Sequence, residues 1–454
     1  MIRSRFLCSL LLVLLPFAAA ASDHADPIDV LNRQRQERAL TDLFVFPVKA
    51  DGTPAFPFER EAKLPLHDPL ADVVREPLSD EQRRQIDSLV FILCVRRQLT
   101  DSTTLKLEPY TYKINIDYHS LVKFPKRTDA DPNSEAGASS ATAPPTAPTA
   151  DDHGHAHTKN KLSIVEAFAR YGGSIPHPEK IKEDIVIEFR LNDDGRLQPG
   201  YPRFSQPKNL DVDLRPDAGI HDDPFIFPAF FGTNIVAMQV RLPISVFPND
   251  RTNFLIWATS HKGSGGPIDH VGRSLRTQNP RFELLNTLHP SRHVAAITEE
   301  HNHPSLMRDI LLRLNFGSLF AYRSWDFVPD VMCYSTIYPV GFPNGRLLTD
   351  DVAAILAQHG DTLLYELSFQ DDRYRWPRQT TNDGRSDGSE TFLSKAPYLL
   401  PANPQRAQPP PLRLSTASIV KLTLIVIALL SLWALSLWLF ARWYYRRQIR
   451  RRYL

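Results

Sequence analysis

A run of twenty uncharged residues near the end of the chain limits its fold more than any other feature. The run covers 422–441, and at about 1.5 Å per residue a helix of this length crosses the hydrocarbon core of a bilayer. A helix buried in a soluble core would instead be amphipathic, and an arginine-rich stretch would seldom follow it. The run therefore predicts one transmembrane helix, with the rest of the chain folded outside the bilayer.

The residues that flank this run indicate its orientation and its lipid contacts. Six arginines follow it within the basic tail, 442–454, whereas Arg413 and Lys421 are the nearby cations before it. The positive-inside rule then predicts a cytoplasmic C-terminus and a single-pass type I topology. We expect the helix to lie in the lipid bilayer and the basic tail to contact anionic lipid headgroups.

The first residues, 1–21, have the features of a secretory signal peptide. Two arginines precede an apolar run over 6–17, and the small residues at 18–21 suit cleavage after Ala20 or Ala21. The chain contains no Asn-x-Ser/Thr sequon, which favours a bacterial envelope over a glycosylating secretory pathway. We therefore expect a bacterial inner-membrane protein with its ectodomain, 22–400, in the periplasm or outside the cell.

The charge balance changes once both end segments are set aside. Residues 1–21 and 422–454 hold eight of the 53 basic residues and no acidic residue, so 45 basic and 51 acidic residues remain. A mildly acidic ectodomain argues against nucleic acid as a partner. The ectodomain has two cysteines, Cys94 and Cys333, which would form either one disulfide or two buried thiols.

Alternating apolar and polar residues over 110–119 form the clearest strand pattern in the chain. One face would carry Tyr110, Tyr112, Ile114 and Ile116, and the other face would be polar. Further apolar runs predict more strands, at 43–46, 89–95, 185–191, 235–242 and 254–259. Capping residues or apolar stripes predict a few short helices, starting near Ser79, Ser163, Leu306 and Thr349. The predicted fold class is mainly β, with a β-sandwich-like ectodomain.

Two segments differ in composition from the rest of the ectodomain: we expect the first to be a disordered insertion and the second to be a stalk that holds the domain off the bilayer. The insertion 126–161 is rich in Ala, Pro, Ser, Thr and Asp, and the stalk 401–421 is rich in Pro. The insertion ends with three alternate imidazoles, His153, His155 and His157, which would chelate a metal ion weakly if they are flexible. The alternative interpretation is a solvated polar tract.

His221, Asp222 and Asp223 precede a Pro-led aromatic strand and are the strongest candidates for a site. Carboxylates suit Ca²⁺ or Mg²⁺, and an added imidazole favours Zn²⁺, Mn²⁺ or Fe. Three adjacent residues cannot all face one ion, so a metal site would need ligands from elsewhere, such as His24, Asp26, Asp42 or Asp269. Alternatively, the two carboxylates bond nearby backbone amides where Pro224 imposes an extended chain.

Short segments in a fixed order resemble a known pattern. They are Ser22-Asp23-His24, Thr41 to Phe46, Asp222 to Phe225, Asp269 to Arg273, Pro329-Asp330-Val331 and Asn344 to Val352. In this order they are similar to the bacterial secreted family called domain of unknown function 4331. The chain departs from the family's Gly-Arg-Pro-x-x-Asn pattern at 274–277. The resemblance implies a mostly β, secreted domain, and it implies no activity.

Catalytic motifs are scarce in the chain. It has no Gly-x-Ser-x-Gly, His-Glu-x-x-His, P-loop or Cys-x-x-Cys sequence. We therefore expect a single-pass membrane-anchored envelope protein that is a binding or structural module for an unidentified envelope partner, with a divalent metal ion as its candidate cofactor. The alternative is a metal-dependent envelope enzyme centred on His221, Asp222 and Asp223.

Overall fold

A computed structural model of the chain describes a β-rich domain and a long C-terminal helix. The described residues are 36–56, 76–99, 103–124, 173–208, 210–226, 233–278, 280–303, 327–350, 352, 393, 395–403 and 416–453. The predicted signal peptide, the predicted insertion and the middle of the predicted stalk lie outside them.

The strands form two antiparallel sheets. The first sheet contains, in spatial order, β1 (Leu40–Val48), β2 (Ser88–Leu99), β7 (Asn234–Pro243) and β6 (Asp217–Asp222). The second contains β10 (Met332–Ser335), β8 (Asn253–Lys262), β3 (Tyr110–Asp117), β4 (Ile185–Phe189) and β5 (Arg203–Gln206), with β9 (Pro267–Val271) paired to β8. One hydrophobic core includes apolar side chains from both sheets. The predicted mainly β, sandwich-like fold is therefore confirmed.

Strand β3 shows how the sequence pattern positions a polar surface on the second sheet. Tyr112, Ile114 and Ile116 are fully buried in the shared core, as the alternation predicts. Lys113 and Asn115 point to the opposite face because successive side chains of a strand alternate. Strand β3 is central, between β4 and β8, so the residues of its outer face are held by hydrogen-bonded neighbours on both sides.

Short helices lie outside the two sheets. Helix α1 (Asp80–Arg84) begins with the predicted capping box, in which Gln82 N donates to Ser79 Oγ and Ser79 N donates to Gln82 Oε1. Helix α2 (His293–Asn302) was not predicted, because its apolar residues form no regular stripe. The helices predicted from Ser163 and Leu306 fall outside the described residues, as does nearly all of the one predicted after Thr349.

The C-terminal helix α3 (Thr416–Tyr453) contains the predicted apolar run. Its stretch Val426–Arg447, of 22 residues, is long and apolar enough to cross a membrane, and it is not buried against the protein. The serine hydroxyls within it donate to carbonyls of the same helix, Ser431 to Ile427 and Ser436 to Trp433. These bonds satisfy polar groups that hydrocarbon could not satisfy.

Cys94 and Cys333 of the β-rich domain are both buried free thiols. Cys94 lies in β2 of the first sheet and Cys333 in β10 of the second. Burial raises the pKa of Cys94 well above its ordinary value, and it raises that of Cys333 to about 12. Of the two predicted states, the structure contains the thiols.

Two segments of the family-like pattern pack directly on each other at the end of β9. A Cβ atom added to Gly272 would lie 2.3 Å from the carbonyl oxygen of Asp330 and 2.7 Å from Cα of Val331. The Asp330 side chain also accepts the Arg273 amide, with a distance of 2.7 Å. Only glycine allows the two backbones to approach this closely, which explains why position 272 is a glycine.

We expect Gly272→Ala to destabilise the domain by about 1–3 kcal/mol or more, because the clashing atoms are backbone atoms that cannot rotate away. Gly266→Ala is the matched control, since an added Cβ there meets no atom within 4 Å. Urea unfolding followed by circular dichroism measures both variants. Equal unfolding midpoints for the two variants would contradict the close-approach explanation.

Candidate functional site

The predicted site stretch lies at the end of strand β6, at the edge of the first sheet. The prediction of an aromatic strand after these residues was wrong for the described residues 223–226, which follow β6 outside any strand. His221 pairs with Ile235 of β7 and forms a bridge to Pro401 on its other side. His221 is half-buried, and burial lowers the pKa of its imidazole below the ordinary value. Asp222 and Asp223 are buried, so these three residues lie inside the fold more than on its surface.

Asp223 is part of a buried network of four charged side chains. Its Oδ2 lies 2.6 Å from Nε of Arg97, and Arg97 also donates to Asp42. Asp42 in turn accepts from Arg346 Nη1 at 3.2 Å. We call Asp42, Arg97, Asp223 and Arg346 the ion network. When Asp223 is ionised, two carboxylates and two guanidinium groups balance in charge, which is the condition under which ions can be buried.

Aromatic rings and a backbone amide complete the surroundings of the network. The Arg346 guanidinium lies 4.1 Å from the centroid of the Phe44 ring, and that of Arg97 lies 5.2 Å from the centroid of Phe225. The Phe225 amide donates to Asp223 Oδ1 at 3.0 Å, as the backbone-binding interpretation predicts. Burial raises the pKa of Asp223 to about 7, although the Arg97 guanidinium acts to lower it.

The metal interpretation of this stretch stays a prediction. Among the described residues, no group of three or more His, Cys, Asp or Glu side chains is arranged to hold an ion. Asp42 does come close to Asp223, but the Arg97 guanidinium lies between them. Asp269 accepts the Leu40 amide instead. The remaining proposed ligands lie outside the described residues, namely His24, Asp26, His153, His155 and His157.

A second group of buried polar residues joins β9 to helix α2. His293 Nδ1 accepts the Asp330 amide at 3.1 Å, and its Nε2 lies 3.1 Å from the Leu288 carbonyl oxygen. One ring nitrogen accepts and the other donates, so His293 is neutral, and burial lowers its pKa well below the ordinary value. His270 packs edge-on against it, with ring centroids 5.0 Å apart. These contacts attach the helix to the sheet.

A polar cleft of about 250 Å³ lies on the outer face of the second sheet. Its lining includes six side chains with charged or hydrogen-bonding groups, namely Lys113, Asn115, Glu183, Thr259, His261 and His289. Strands β3 and β8 supply the floor, and the chain around Leu288–Pro290 forms one wall. These six residues come from four separate parts of the sequence, and none of them belongs to the predicted site.

The floor of the cleft is a directed chain of hydrogen bonds. Asn115 Nδ2 lies 3.4 Å from the Trp257 carbonyl oxygen and 3.2 Å from Thr259 Oγ1. Thr259 Oγ1 is 3.0 Å from His261 Nε2, and His261 Nδ1 is 3.2 Å from the Gly265 carbonyl oxygen. A carbonyl can only accept, so Nδ1 of His261 carries the proton and Nε2 accepts from the hydroxyl. The chain fixes the orientation of the Asn115 amide.

A carboxylate and an imidazole face each other at the wall of the cleft. Glu183 Oε1 lies 3.0 Å from His289 Nε2. His289 Nδ1 accepts the Ser291 amide at 3.2 Å, so the ring proton is on Nε2, toward the carboxylate. The contact with His289 lowers the pKa of Glu183, with Lys113 contributing in the same direction. Both side chains remain about one-third exposed, 33% and 32%.

Comparisons with known proteins assign no role to the ion network, to the His293 group or to the polar cleft. No protein family model, curated protein or solved structure matches the chain. Its function must therefore be inferred from the residues themselves.

We expect Arg97→Met to destabilise the domain by about 3–5 kcal/mol at pH 8, because it leaves two buried carboxylates without their shared cation. Arg83→Met is the control, since it removes an exposed pair with Asp80 that is worth less than about 1 kcal/mol. Chemical unfolding of both variants gives the comparison. A cost for Arg97→Met no larger than that of the control would show that the network is not a structural centre.

The raised pKa of Asp223 predicts how the free energy of unfolding depends on pH. The unfolded carboxyl releases its proton near pH 3.8, whereas the folded one keeps it up to about pH 7. The folded state therefore binds more protons in this window, and the stability that this provides is lost as pH rises through it. We expect the free energy of unfolding to fall with pH there more steeply in the wild type than in Asp223→Asn. Parallel profiles would contradict the raised pKa.

Proposed function

We propose that the chain is a single-pass protein of the bacterial inner membrane whose β-rich domain is a binding module in the periplasm. The observation that carries this proposal is the apolar stretch of helix α3. Leu432, Phe440 and Tyr445 on that stretch are 63%, 61% and 67% exposed. Burying such side chains in hydrocarbon is favourable by about 25 cal/mol per Å², whereas leaving a continuous apolar surface in water is not.

The charges around the helix support the proposed orientation. The basic tail follows the apolar stretch, so the tail would stay on the cytoplasmic side and contact anionic lipid headgroups. Within the helix, Arg442 lies over Trp438 and Arg447 over Trp443, each 5.2 Å from the ring centroid. Paired tryptophan and arginine side chains suit the boundary between hydrocarbon and headgroups.

The polar cleft supports binding over a purely structural role. In the ion network the carboxylates are committed to guanidinium groups, whereas the cleft carries polar side chains that solvent reaches. Small-molecule sites are usually concave and largely pre-formed, and a few placed polar groups in them fix the orientation of the ligand; the floor of the cleft supplies such groups. The alternative of a metal-dependent enzyme gains no support from Asp223, whose oxygens face Arg97 and the Phe225 amide.

We also propose membership of the domain of unknown function 4331 family. Contacts between the segments that carry the resemblance support this proposal. Asp42 and Asp223 belong to two of the segments and share Arg97, and Arg346 of a third segment donates to Asp42. Gly272 and Asp330, of two further segments, touch each other.

Membrane association is tested by comparing the full chain with a chain that ends at Asn403. We expect the full chain to resist alkaline carbonate extraction from membranes, and the shortened chain to be recovered in the periplasmic fraction. Circular dichroism of the shortened chain checks that it is folded. Carbonate extraction of the full chain together with a periplasmic marker would overturn the proposal.

The orientation is tested with a variant in which the six arginines of the tail are replaced by glutamine. Protease added to spheroplasts should digest the β-rich domain of the wild-type chain and leave the tail protected. We expect the variant to insert in mixed orientation, because the charge difference across the helix is lost. A wild-type domain protected from the added protease would contradict the type I topology.

A further inference from the structure

The polar cleft presents an unused acceptor at its floor. Asn115 is only 3% exposed, and its Nδ2 is occupied by the Trp257 carbonyl and Thr259. Because a carbonyl accepts only, Nδ2 must be the atom on that side, so Oδ1 is the other atom of the amide. Oδ1 has no hydrogen-bond partner among the described residues. Oδ1 is not among the buried polar atoms that lack a partner, so solvent in the cleft reaches it, and a ligand hydroxyl can replace the water that donates to it.

Donors and a second acceptor stand at the sides of the same cleft. Lys113 Nζ lies 4.0 Å from Glu188 Oε2, beyond hydrogen-bond distance, so its N–H groups are available. Glu183 faces His289 with one carboxylate oxygen and keeps one-third of its side-chain surface exposed. The cleft thus combines a strong donor, Lys113, with two acceptors, Asn115 and Glu183.

The charge of the cleft favours a neutral ligand. Lys113 and Glu183 are of opposite sign, and both imidazoles, His261 and His289, have one accepting nitrogen. A ligand carboxylate would be attracted to Lys113 and repelled by Glu183, the two charged residues that line the cleft. A hydroxyl group is repelled by neither, and each hydroxyl both accepts from an ammonium and donates to an amide or carboxylate oxygen.

The size of the cleft limits the ligand further. Its volume of about 250 Å³ lies below the roughly 300–1,000 Å³ of pockets for drug-sized molecules. A single ring that bears several hydroxyl groups fits this space, whereas an extended chain would leave it.

We infer that the cleft binds a neutral, polyhydroxylated ligand of the size of one sugar ring, either free or at the end of a longer glycan. Asn115 and Glu183 accept from adjacent hydroxyls, and Lys113 donates to a third. This inference rests on the proposed function as a binding module and names the ligand class of that module.

Binding is tested on the full chain in lipid nanodiscs, since a sugar-headed detergent would compete for the cleft. Ligand-observed NMR titration with glucose, galactose, mannose, N-acetylglucosamine and inositol measures the dissociation constants, up to about 10 mM. Glycine, alanine and lysine form the comparison panel of small ligands that carry ammonium and carboxylate groups. We expect saturable binding of at least one neutral polyol and none of the amino acids.

Variants then locate the binding site. Glu183→Gln and Lys113→Met each remove one charged hydrogen-bonding group, so we expect each to weaken binding about tenfold or more. Glu179→Gln and Lys182→Met are matched controls with exposed side chains outside the cleft, and binding should stay within about twofold of wild type. Thermal unfolding of each variant confirms that the domain is intact.

Three results would overturn the inference. They are absence of saturable binding to every polyol of the panel, preferential binding of an amino acid, and binding that the two cleft variants leave unchanged. Each of these results leaves the carbonate extraction of the full chain unaffected. Failure of the ligand class is therefore distinguishable from failure of the membrane-anchored module itself.

Discussion

The buried ion network is the interaction on which the arrangement of the first sheet depends. Asp42 comes from β1, Arg97 from the end of β2, Asp223 from the chain after β6, and Arg346 from the segment that follows β10. Removing a charge from water is expensive unless a partner of opposite charge is held in good geometry. Each of the four ions therefore requires the other three segments to be in place. The network favours one assembly of these segments over alternatives of similar hydrophobic content.

The segment that contains Arg346 connects the ion network to the second sheet. Val45 and Arg346 exchange backbone hydrogen bonds of 3.1 and 3.0 Å, which join the segment to β1. The neighbouring Asn344 accepts the Ser335 amide at 2.7 Å, which joins it to β10. Strand β10 pairs with β8, whose Thr259 lies in the floor of the cleft. The polar surface of the cleft is thus supported by the same framework that encloses the ions.

Local patterns in the sequence predicted β1, β2, β3, β4, β7, β8 and the long helix, because those depend on neighbours in the chain, whereas the short or less apolar strands β5, β6, β9 and β10 were not predicted. The alternation over 110–119 predicted both faces of β3, including the face that carries Lys113 and Asn115. His221, Asp222 and Asp223 stood out as adjacent polar residues, yet Arg97, the partner of Asp223, did not. The separation in sequence is 126 residues for Asp223 and Arg97, and 304 for Asp42 and Arg346. Pairings at such distances follow from topology, which one sequence does not reveal.

The cleft could not be predicted either, because its residues are distant in sequence and because each of them, taken alone, has no unusual feature. Glu183 precedes a strand, whereas His289 precedes a short helical turn and accepts the Ser291 amide there. Taken alone, each residue has an ordinary structural role. Their chemistry arises only when the fold places them 3.0 Å apart above the sheet.

The two buried thiols have a consequence for how the domain matures and how it can be followed. Cys94 and Cys333 lie in different sheets, and burial keeps them protonated, so neither is a nucleophile in the folded state. The folded domain therefore contains no disulfide between them. In an oxidising environment, the thiols would have to be enclosed before they are oxidised. An alkylating reagent would accordingly modify them only in molecules whose β-rich domain has opened, and the extent of labelling in intact membranes would report that opening directly.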